Sequence, residues 1–391
     1  MLIRASPGKG GVLYGISFRP AGKTSKHVAR DLFDFFDALG VVWVLPLLAL
    51  WAEQDVSEPA REQCDTQERD PFVSGKKKFA VAETSAIERI ARDVALLRVS
   101  IANVYFVGRR VGPWALIDTG VPGKADMIRE AANALFGPGA RPEAILLTHG
   151  HFDHAGSALE LARMWGVNIY LHPLETPYVT GRSDYPPPDL RSGGFMALVN
   201  RLAQASTLDL EDRARPLGLN PDLPGLPAWQ WIHVPGHAPG QIAFFRPEDR
   251  TLIAGDACAT VNLDSLFAAA SKYQRVCRPP APMTCDWIAA AESVEKLAAL
   301  EPVTLACGHG DPISGPAAAE QLRRLAREFR MPRRGRYVAK GAHTDESGVI
   351  SLPPKPSDPL PKIAAGVGFA ALAGTAIALV KRRRSKRENR D

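Results

Sequence analysis

Cysteine is scarce in this sequence, and its few copies are not arranged in pairs. The 391 residues include five cysteines. No two of them form a C-x-x-C motif, and an odd number spread over a long chain is not typical of a disulfide framework. We therefore expect reduced and mostly buried thiols. They are Cys64, Cys258, Cys277, Cys285 and Cys307.

The sequence also lacks a basic character distributed along its length. The formal net charge is +6, but residues 381–387 alone carry six positive charges. Without this tail the chain is nearly neutral, which argues against a nucleic-acid partner. With 46% hydrophobic and 23% charged residues, the composition is that of a globular protein. It excludes a chain that is disordered or fibrous throughout.

The N-terminal part has no long apolar run. Its run at residues 41–52 is interrupted by Pro46 and is shorter than the roughly 18 residues that a membrane span needs. A signal sequence, a membrane-dipping helix and an upstream start codon all remain open as explanations. Residues 1–75 are assigned to an N-terminal extension.

Near the C-terminus, residues 363–380 form an uncharged stretch of 18 residues. This stretch follows a Pro-rich linker, assigned to residues 331–361. Residues 362–391 are therefore predicted to form an apolar membrane-spanning helix with a basic tail on the cytoplasmic side. The alternative is a cytoplasmic protein whose basic tail only docks on anionic lipid.

Residues 76–330 alternate short apolar runs with helical segments, which predicts one α/β domain. Asp286 is expected to cap a helix that follows it. Residues 176–228 contain clustered prolines and are predicted to form a long excursion over one face. Its aromatic residues and one later tyrosine are candidates for a substrate pocket: Tyr178, Tyr185, Phe195 and Tyr273. Strands are predicted at 94–99, 104–107, 114–117, 144–147, 168–171, 231–234, 242–245, 251–254 and 304–306.

The most informative stretch brings three imidazoles and one carboxylate together directly after a predicted strand. It contains His149, His151, Asp153 and His154 in the pattern H-x-H-x-D-H. Histidine and aspartate are good ligands for a borderline-soft divalent ion, and this density is costly to fold unless something pairs with it. Ordinary polar residues rarely form such a pattern, so we predict a metal site.

Four further strand ends carry the same kinds of residue. In α/β sheets, functional groups gather where strands end, and a glycine directly before three of the four residues permits tight turns near a crowded site. The four residues are Asp118, His237, Asp256 and His309.

With these motifs in this order, the segment 94–329 resembles the metallo-β-lactamase superfamily, and its glyoxalase II-like branch in particular. The resemblance implies a four-layer αββα sandwich, here followed by the apolar C-terminal helix. It also implies that one metal ion is held by His149, His151 and His237, and a second by Asp153, His154 and His309. Asp256 would bridge the two ions, and Asp118 would support the site. Asp118, Asp153 and Asp256 are the implied catalytic carboxylates.

The implied activity is that of a binuclear hydrolase, because two close cations can share a hydroxide of lowered pKa. The implied cofactors are two Zn²⁺ ions, with iron or manganese open from ligand type alone. The substrate is expected to be a small ester, thioester or lactone-like molecule. Gln241 stands where glyoxalase II-like sequences commonly have a second histidine, so glyoxalase II activity itself is not implied.

Two other functions remain open at this point. One is a mononuclear iron dioxygenase of the persulfide type, which shares the motif set. The other is a non-catalytic, membrane-associated scaffold. The sequence does not determine the oligomeric state.

Overall fold

Two β-sheets with helices on their outer faces make up the part of the chain that the structure describes. The computed structural model describes residues 78–81, 85–189, 191–192, 208–218, 222–264 and 274–355. The predicted N-terminal extension, residues 1–75, lies outside the described residues. So do Phe195 and Tyr273.

The first sheet has eight strands that follow one another in chain order. Its first five strands pair antiparallel, and β5 to β8 pair parallel. The strands are β1 (Lys78–Val81), β2 (Ser85–Ala91), β3 (Val94–Val99), β4 (Ala102–Gly108), β5 (Trp114–Ile117), β6 (Ala144–Leu146), β7 (Ile169–Leu171) and β8 (Ala214–Pro216).

The second sheet has five strands in the order β13-β12-β11-β10-β9. Only β11 and β12 pair parallel. The strands are β9 (Gln230–His233), β10 (Ile242–Arg246), β11 (Thr251–Ile253), β12 (Thr304–Ala306) and β13 (Ile313–Ser314). A separate hairpin is formed by β14 (His343–Asp345) and β15 (Gly348–Ser351).

Six α-helices connect or flank these strands in the described ranges. They are α1 (Ala125–Phe136), α2 (Phe152–Ala155), α3 (Ala158–Trp165), α4 (Thr176–Val179), α5 (Trp287–Ala298) and α6 (Pro316–Arg327). Single turns of 3₁₀-helix occur at Pro173–Glu175, Glu211–Arg213, Gly255–Ala257 and Ala281–Met283.

The buried side chains show how the layers stack. Along β3, Val94 and Leu96 pack with residues of the second sheet, whereas Ala95 and Leu97 pack with α1 and α3. Because both faces of the strand are buried at residues 94–97, its sequence there is a continuous apolar run rather than an alternating one. The outer face of the second sheet packs against α5 and α6. The predicted sandwich of helix, sheet, sheet and helix is therefore confirmed.

Several local predictions are also confirmed. The predicted strands at 94–99, 114–117 and 304–306 coincide with β3, β5 and β12. Asp286 caps α5, because its carboxylate accepts hydrogen bonds from the backbone N–H groups of Ile288 and Ala289 at 3.0 Å each. Strand β8 was not predicted, since its three residues are half-buried or exposed and carry no apolar pattern.

The predicted membrane association is corrected by the helices that the structure describes. Within these residues, no helix has the length and apolar character needed to cross a membrane. The longest of them, α1, α5 and α6, have 12 residues each, whereas a span needs about 20. The apolar C-terminal helix is likewise not shown. The predicted span at 363–380 and the tail behind it lie outside the described residues.

The segment 331–355 packs against the body of the domain. Tyr337 is 1% exposed and lies in a small cluster with Trp287 and Ala281. Its hydroxyl donates a hydrogen bond to the carbonyl of Pro187 at 2.9 Å. In the hairpin, the backbone N–H of Val349 donates to the Ser183 hydroxyl oxygen at 3.2 Å. This part of the predicted Pro-rich linker thus contacts the excursion that begins at residue 176.

Candidate metal centre

The residues predicted from strand ends meet at one edge of the two sheets. Strand β5 leads to Asp118, β6 leads to His149 and His151, and β9 leads to the turn that carries His237. In the second sheet, β11 and β12 run parallel and lead to Asp256 and His309. The parallel pairs deliver side chains to the same edge because their carboxyl ends coincide.

Two glycines show how tightly the backbone is packed at this edge. Gly236, with φ of 132°, precedes His237, and a Cβ there would lie 2.5 Å from the Cα of Ala290. Gly308 precedes His309, and a Cβ there would lie 2.6 Å from Cε1 of His154. Both positions are too close to a neighbour for any side chain. This agrees with the expectation that a glycine precedes the candidate ligand.

The first group of candidate ligands consists of three imidazoles. The Nε2 of His149 is 3.0 Å from the Nδ1 of His151, which is also 3.0 Å from the Nε2 of His237. All three side chains are buried. Metal–nitrogen bonds of about 2.0–2.1 Å put two nitrogens bound to one ion little more than about 3 Å apart. The spacing of these nitrogens therefore fits a single ion.

The second group consists of Asp153, His154 and His309, whose ligand atoms lie within 4.8 Å of one another. The Nε2 of His309 is 3.4 Å from Oδ2 of Asp153, and the Nε2 of His154 is 3.9 Å from the same oxygen. Asp153 is the most exposed carboxylate of the site, with 13% of its side chain accessible.

Asp256 lies between the two groups. Its Oδ2 is 3.5 Å from Nε2 of His237 in the first group and 3.1 Å from Nε2 of His309 in the second. Its Oδ1 is 3.7 Å from Nε2 of His154. One carboxylate can therefore reach ions in both groups.

Outer partners orient two of the imidazoles. Asp118 Oδ2 lies 2.9 Å from Nδ1 of His154 and accepts a hydrogen bond from it. The same carboxylate accepts hydrogen bonds from the backbone N–H and the hydroxyl of Thr148, both at 2.8 Å. Nδ1 of His309 donates to the carbonyl of Ile101 at 2.6 Å. A proton fixed on Nδ1 leaves Nε2 of each ring to face the site.

Burial and neighbouring charges shift the histidine pKa values in opposite directions in the two groups. Burial lowers the pKa of His149 and His237 well below the usual range and lowers that of His151 to about 4. Burial also disfavours the charged forms of His154 and His309, but the carboxylates Asp256 and Asp153 outweigh it and raise both pKa values. The lowered pKa values favour neutral imidazoles in the first group, whereas the raised pKa values favour the protonated forms of His154 and His309.

Among the candidate ligands, three buried atoms have no hydrogen-bond partner in the described part of the chain: Nε2 of His154, Nδ1 of His237 and Oδ1 of Asp256. Unpaired polar atoms of this kind are costly unless something binds them. The donor set consists only of imidazole nitrogens and carboxylate oxygens, which suits zinc, iron or manganese. The residues therefore fit a pair of divalent metal ions.

Several residues around the centre were not predicted from the sequence. Asn103 on β4 is buried, and its amide donates to the carbonyls of Cys307 at 2.9 Å and Gly310 at 2.7 Å, which holds the loop carrying His309. Thr148 and Glu175 were also missed. A polar residue in an otherwise apolar strand is a signal that points to Asn103, whereas Glu175 has no comparable signal.

Of the four candidate pocket residues, two lie in the described part of the chain. The ring of Tyr185 lies edge-on to His151, with centroids 4.7 Å apart. Tyr178 is 4% exposed and stacks on Tyr185, with centroids 4.2 Å apart. Tyr185 therefore contacts a candidate ligand of the metal centre directly, and Tyr178 packs against the ring of Tyr185.

Comparisons with known proteins agree with this geometry. A profile described as "Metallo-beta-lactamase superfamily" matches residues 97–309. The probable metallo-hydrolase YflN of Bacillus subtilis (strain 168) is 42% identical over 240 residues, which are 60% of this chain and 90% of that protein. The hydroxyacylglutathione hydrolase of Fuscovulum blasticum is 27% identical over 256 residues, 63% of this chain and 80% of the relative.

Among solved structures, TTHA1623 in a di-iron-bound form is similar to this chain, with a TM-score of 0.38 and 27% sequence identity. The match covers 58% of this chain and 92% of that one.

Proposed function

The chain belongs to the metallo-beta-lactamase superfamily, and from this premise we propose that it is a binuclear metal-dependent hydrolase of small esters, thioesters or lactones. The observation that carries the proposal is the position of Asp256, which lies within 3.5 Å of His237 and within 3.1 Å of His309. A carboxylate shared in this way serves two ions rather than one.

In this proposal His149, His151 and His237 hold one ion, and Asp153, His154 and His309 hold the other. Asp256 contacts both. We propose zinc as the resident metal, as expected from the all-histidine and aspartate ligand set. When bound, such a pair of ions lowers the pKa of water and polarises a substrate oxygen.

The chain's own residues contribute orientation and charge. Asp118 holds the Nδ1 proton of His154, and the Ile101 carbonyl holds that of His309. Their combined effect is to present Nε2 of both rings to the centre. Asp153, the carboxylate most open to solvent, is the proposed acceptor for a proton released during hydrolysis.

The proposed substrate is a small molecule, because the imidazoles and Asp256 are nearly inaccessible. Among the carboxylates of the candidate metal centre, Asp153 is the one with an appreciably exposed side chain, at 13%. The bond to be cleaved must therefore lie in a narrow part of the substrate, such as an ester, thioester or lactone carbonyl.

Metal analysis tests the binuclear proposal directly. We expect two metal ions per wild-type chain and hydrolysis of at least one member of a panel of esters, thioesters, lactones and phosphoesters. A single iron per chain, with oxygen consumed in the presence of a persulfide, would replace the proposal with the dioxygenase alternative.

Replacing Asp256 tests the shared carboxylate. Asp256→Ala leaves two close cations without their common anionic ligand, so we expect retained fold, reduced metal content and loss of hydrolysis. Metal content and circular dichroism are measured on the same preparation. Full metal content and activity in the variant would contradict the binuclear assignment.

A further inference from the structure

Glu175 is a buried carboxylate that joins two loops of the candidate metal centre. It is 0% exposed and ends the 3₁₀ turn Pro173–Glu175 after β7. Its Oε2 accepts the backbone N–H of Gly150 at 2.9 Å, and its Oε1 accepts that of Gly240 at 2.7 Å. Gly150 lies between His149 and His151, and Gly240 lies three residues after His237. One side chain thus links the two segments that carry the first group of imidazoles.

Tyr185 completes the same network. Its hydroxyl donates to Oε2 of Glu175, and its ring lies edge-on to His151. The carboxylate is therefore bound by two backbone amides and one phenol, none of which carries a charge. Hydrogen bonds to an ionised acceptor are shorter and stronger than neutral ones. The hydrogen bonds from Gly150 and Gly240 to Glu175 thus hold the His149–His151 loop and the His237 loop at a defined separation.

The glycines at both contact points are explained by close approach rather than by backbone conformation. Neither Gly150 nor Gly240 is among the glycines with positive φ. A Cβ at Gly150 would lie 2.6 Å from the Tyr185 hydroxyl oxygen, and one at Gly240 would lie 2.8 Å from Cγ of Glu175. The absence of a side chain at Gly240 therefore leaves room for Glu175, and the absence of one at Gly150 leaves room for Tyr185 and Val179.

A carboxylate is the side chain best suited to this position, because both of its oxygens accept hydrogen bonds. A glutamine of the same size has a single acceptor oxygen, and its NH₂ group would face a backbone N–H. One of the two loops would then lose its anchor while the volume of the side chain stayed the same.

We infer that Glu175 is a positioning residue of the metal centre, which sets the separation between the His149–His151 loop and the His237 loop. This inference rests on the proposed function, because these three imidazoles are the proposed ligands of one ion. It extends that function by assigning the geometry of one metal site to a residue that does not touch the metal.

Co²⁺ titration of the full-length, metal-free protein tests this role, with chelator competition for affinity and visible absorption for coordination. We expect Glu175→Gln to lower the Co²⁺ affinity of the His149, His151 and His237 site about 10- to 100-fold. The Asp153, His154 and His309 site should change less. This selectivity distinguishes positioning from general loss of stability.

Asp189→Asn is the matched control. Asp189 is also buried, and its carboxylate accepts backbone N–H groups of Arg191 and Arg336 at 3.1 and 2.6 Å. Because these contacts lie outside the ligand loops, Asp189→Asn should keep the wild-type Co²⁺ affinity. Tyr185→Phe removes the phenol that donates to Glu175 and accepts from the backbone N–H of Gly150, but it leaves both contacts of Glu175 with the backbone amides in place, so it should give a smaller loss at the same site than Glu175→Gln. It preserves the test should Glu175→Gln fail to fold.

The inference would be overturned if folded Glu175→Gln kept the wild-type Co²⁺ affinity and absorption at both sites. If only Tyr185→Phe folds, the same result in that variant would overturn it. In that case the wild-type protein still binds two Co²⁺ ions and the proposed function stands. A wild-type protein that binds no Co²⁺ would overturn the proposed function and this inference with it.

Discussion

Asp118 adopts a backbone φ of 59°, a conformation that is uncommon for residues other than glycine. Aspartate tolerates it better than most because its short side chain hydrogen-bonds locally. In this conformation the carboxylate accepts from Thr148 twice and from His154 once. A single residue therefore connects the end of β5 with the residues that follow β6, and it fixes the orientation of one candidate ligand.

Asp118→Asn tests this contact at nearly constant volume. The amide has one acceptor oxygen instead of two, and it no longer favours a proton on Nδ1 of His154. We expect about a 10- to 100-fold loss of metal affinity or activity with the fold retained. The control Asp126→Asn alters a 73% exposed carboxylate on α1 and should behave as wild type. Equal metal affinity in the two variants would contradict the role of Asp118.

Helix α2 carries Asp153 and His154 themselves, and α5 supports the site from outside. The backbone N–H groups of Cys285 and Asp286 donate to the carbonyl of Gly236 at 2.8 and 2.9 Å, just before His237. Asp286 then caps the first turn of the helix. The N-terminus of α5 thus supports the turn that places His237, and Gly236 leaves the space that Ala290 occupies.

The variants Gly236→Ala and Gly112→Ala distinguish a clash of the added Cβ with its neighbours from the strain of a positive φ alone. The two glycines have φ of 132° and 126°, but only at Gly236 would a Cβ have neighbours within 4 Å, namely atoms of Ala290. Both variants should lose about 1–3 kcal/mol of unfolding free energy from backbone strain. Only Gly236→Ala should also lose metal affinity, because His237 is displaced. Denaturant unfolding and metal titration of both proteins provide the measurement, and equal metal affinity would contradict the role of the turn.

At the scale of the whole molecule, the site exists because the two sheets end at the same edge. Asn103 on the first sheet donates to carbonyls beside β12 of the second, and the N–H of Ile242 on the second sheet donates to the carbonyl of Thr148 after β6 at 2.9 Å. The residues that follow five strands, β5, β6, β9, β11 and β12, thereby form one buried, charged cluster. Its response to pH follows from the different environments of its two halves.

Acid should release metal from the two halves at different pH. Asp256 and Asp153 raise the pKa values of His154 and His309, so protons compete with metal at these two imidazoles at a higher pH than in the first group. The pKa of His151 is about 4, and those of His149 and His237 are also lowered, so the first group stays neutral until the pH is far lower. Because bound metal requires neutral imidazole, the Asp153, His154 and His309 site should empty first. Co²⁺ spectra recorded during acidification measure the order, and simultaneous loss of both ions would contradict it.

The segment 331–355 should contribute to global stability through Tyr337. Tyr337→Ala removes a fully buried ring and should cost about 3–5 kcal/mol of unfolding free energy. Tyr337→Phe removes only the hydrogen bond to Pro187 and should cost about 1 kcal/mol. Urea unfolding of the three proteins tests the difference. Identical midpoints for the Ala variant and wild type would show that this segment packs without stabilising the domain.

The sequence by itself determined the layered α/β architecture and the candidate ligands. Strands buried on both faces are mostly apolar, so β3, β5 and β12 were predictable to the residue. The ligand candidates follow such runs directly, and His149, His151, Asp153 and His154 are close in sequence. These signals are local, and local signals survive in a single sequence.

Only the tertiary structure decided how the centre is supported. Glu175 and Asn103 act by accepting from, or donating to, backbone groups of residues 25 to 207 positions away. Backbone groups are the same at every position, so the sequence does not show which of them these side chains contact, even where the polar residue itself stands out, as Asn103 does in its apolar strand. The predicted membrane association was corrected on other grounds: it rested on the composition of residues 363–380, which lie outside the described residues, and no helix within the described residues is long and apolar enough to span a membrane.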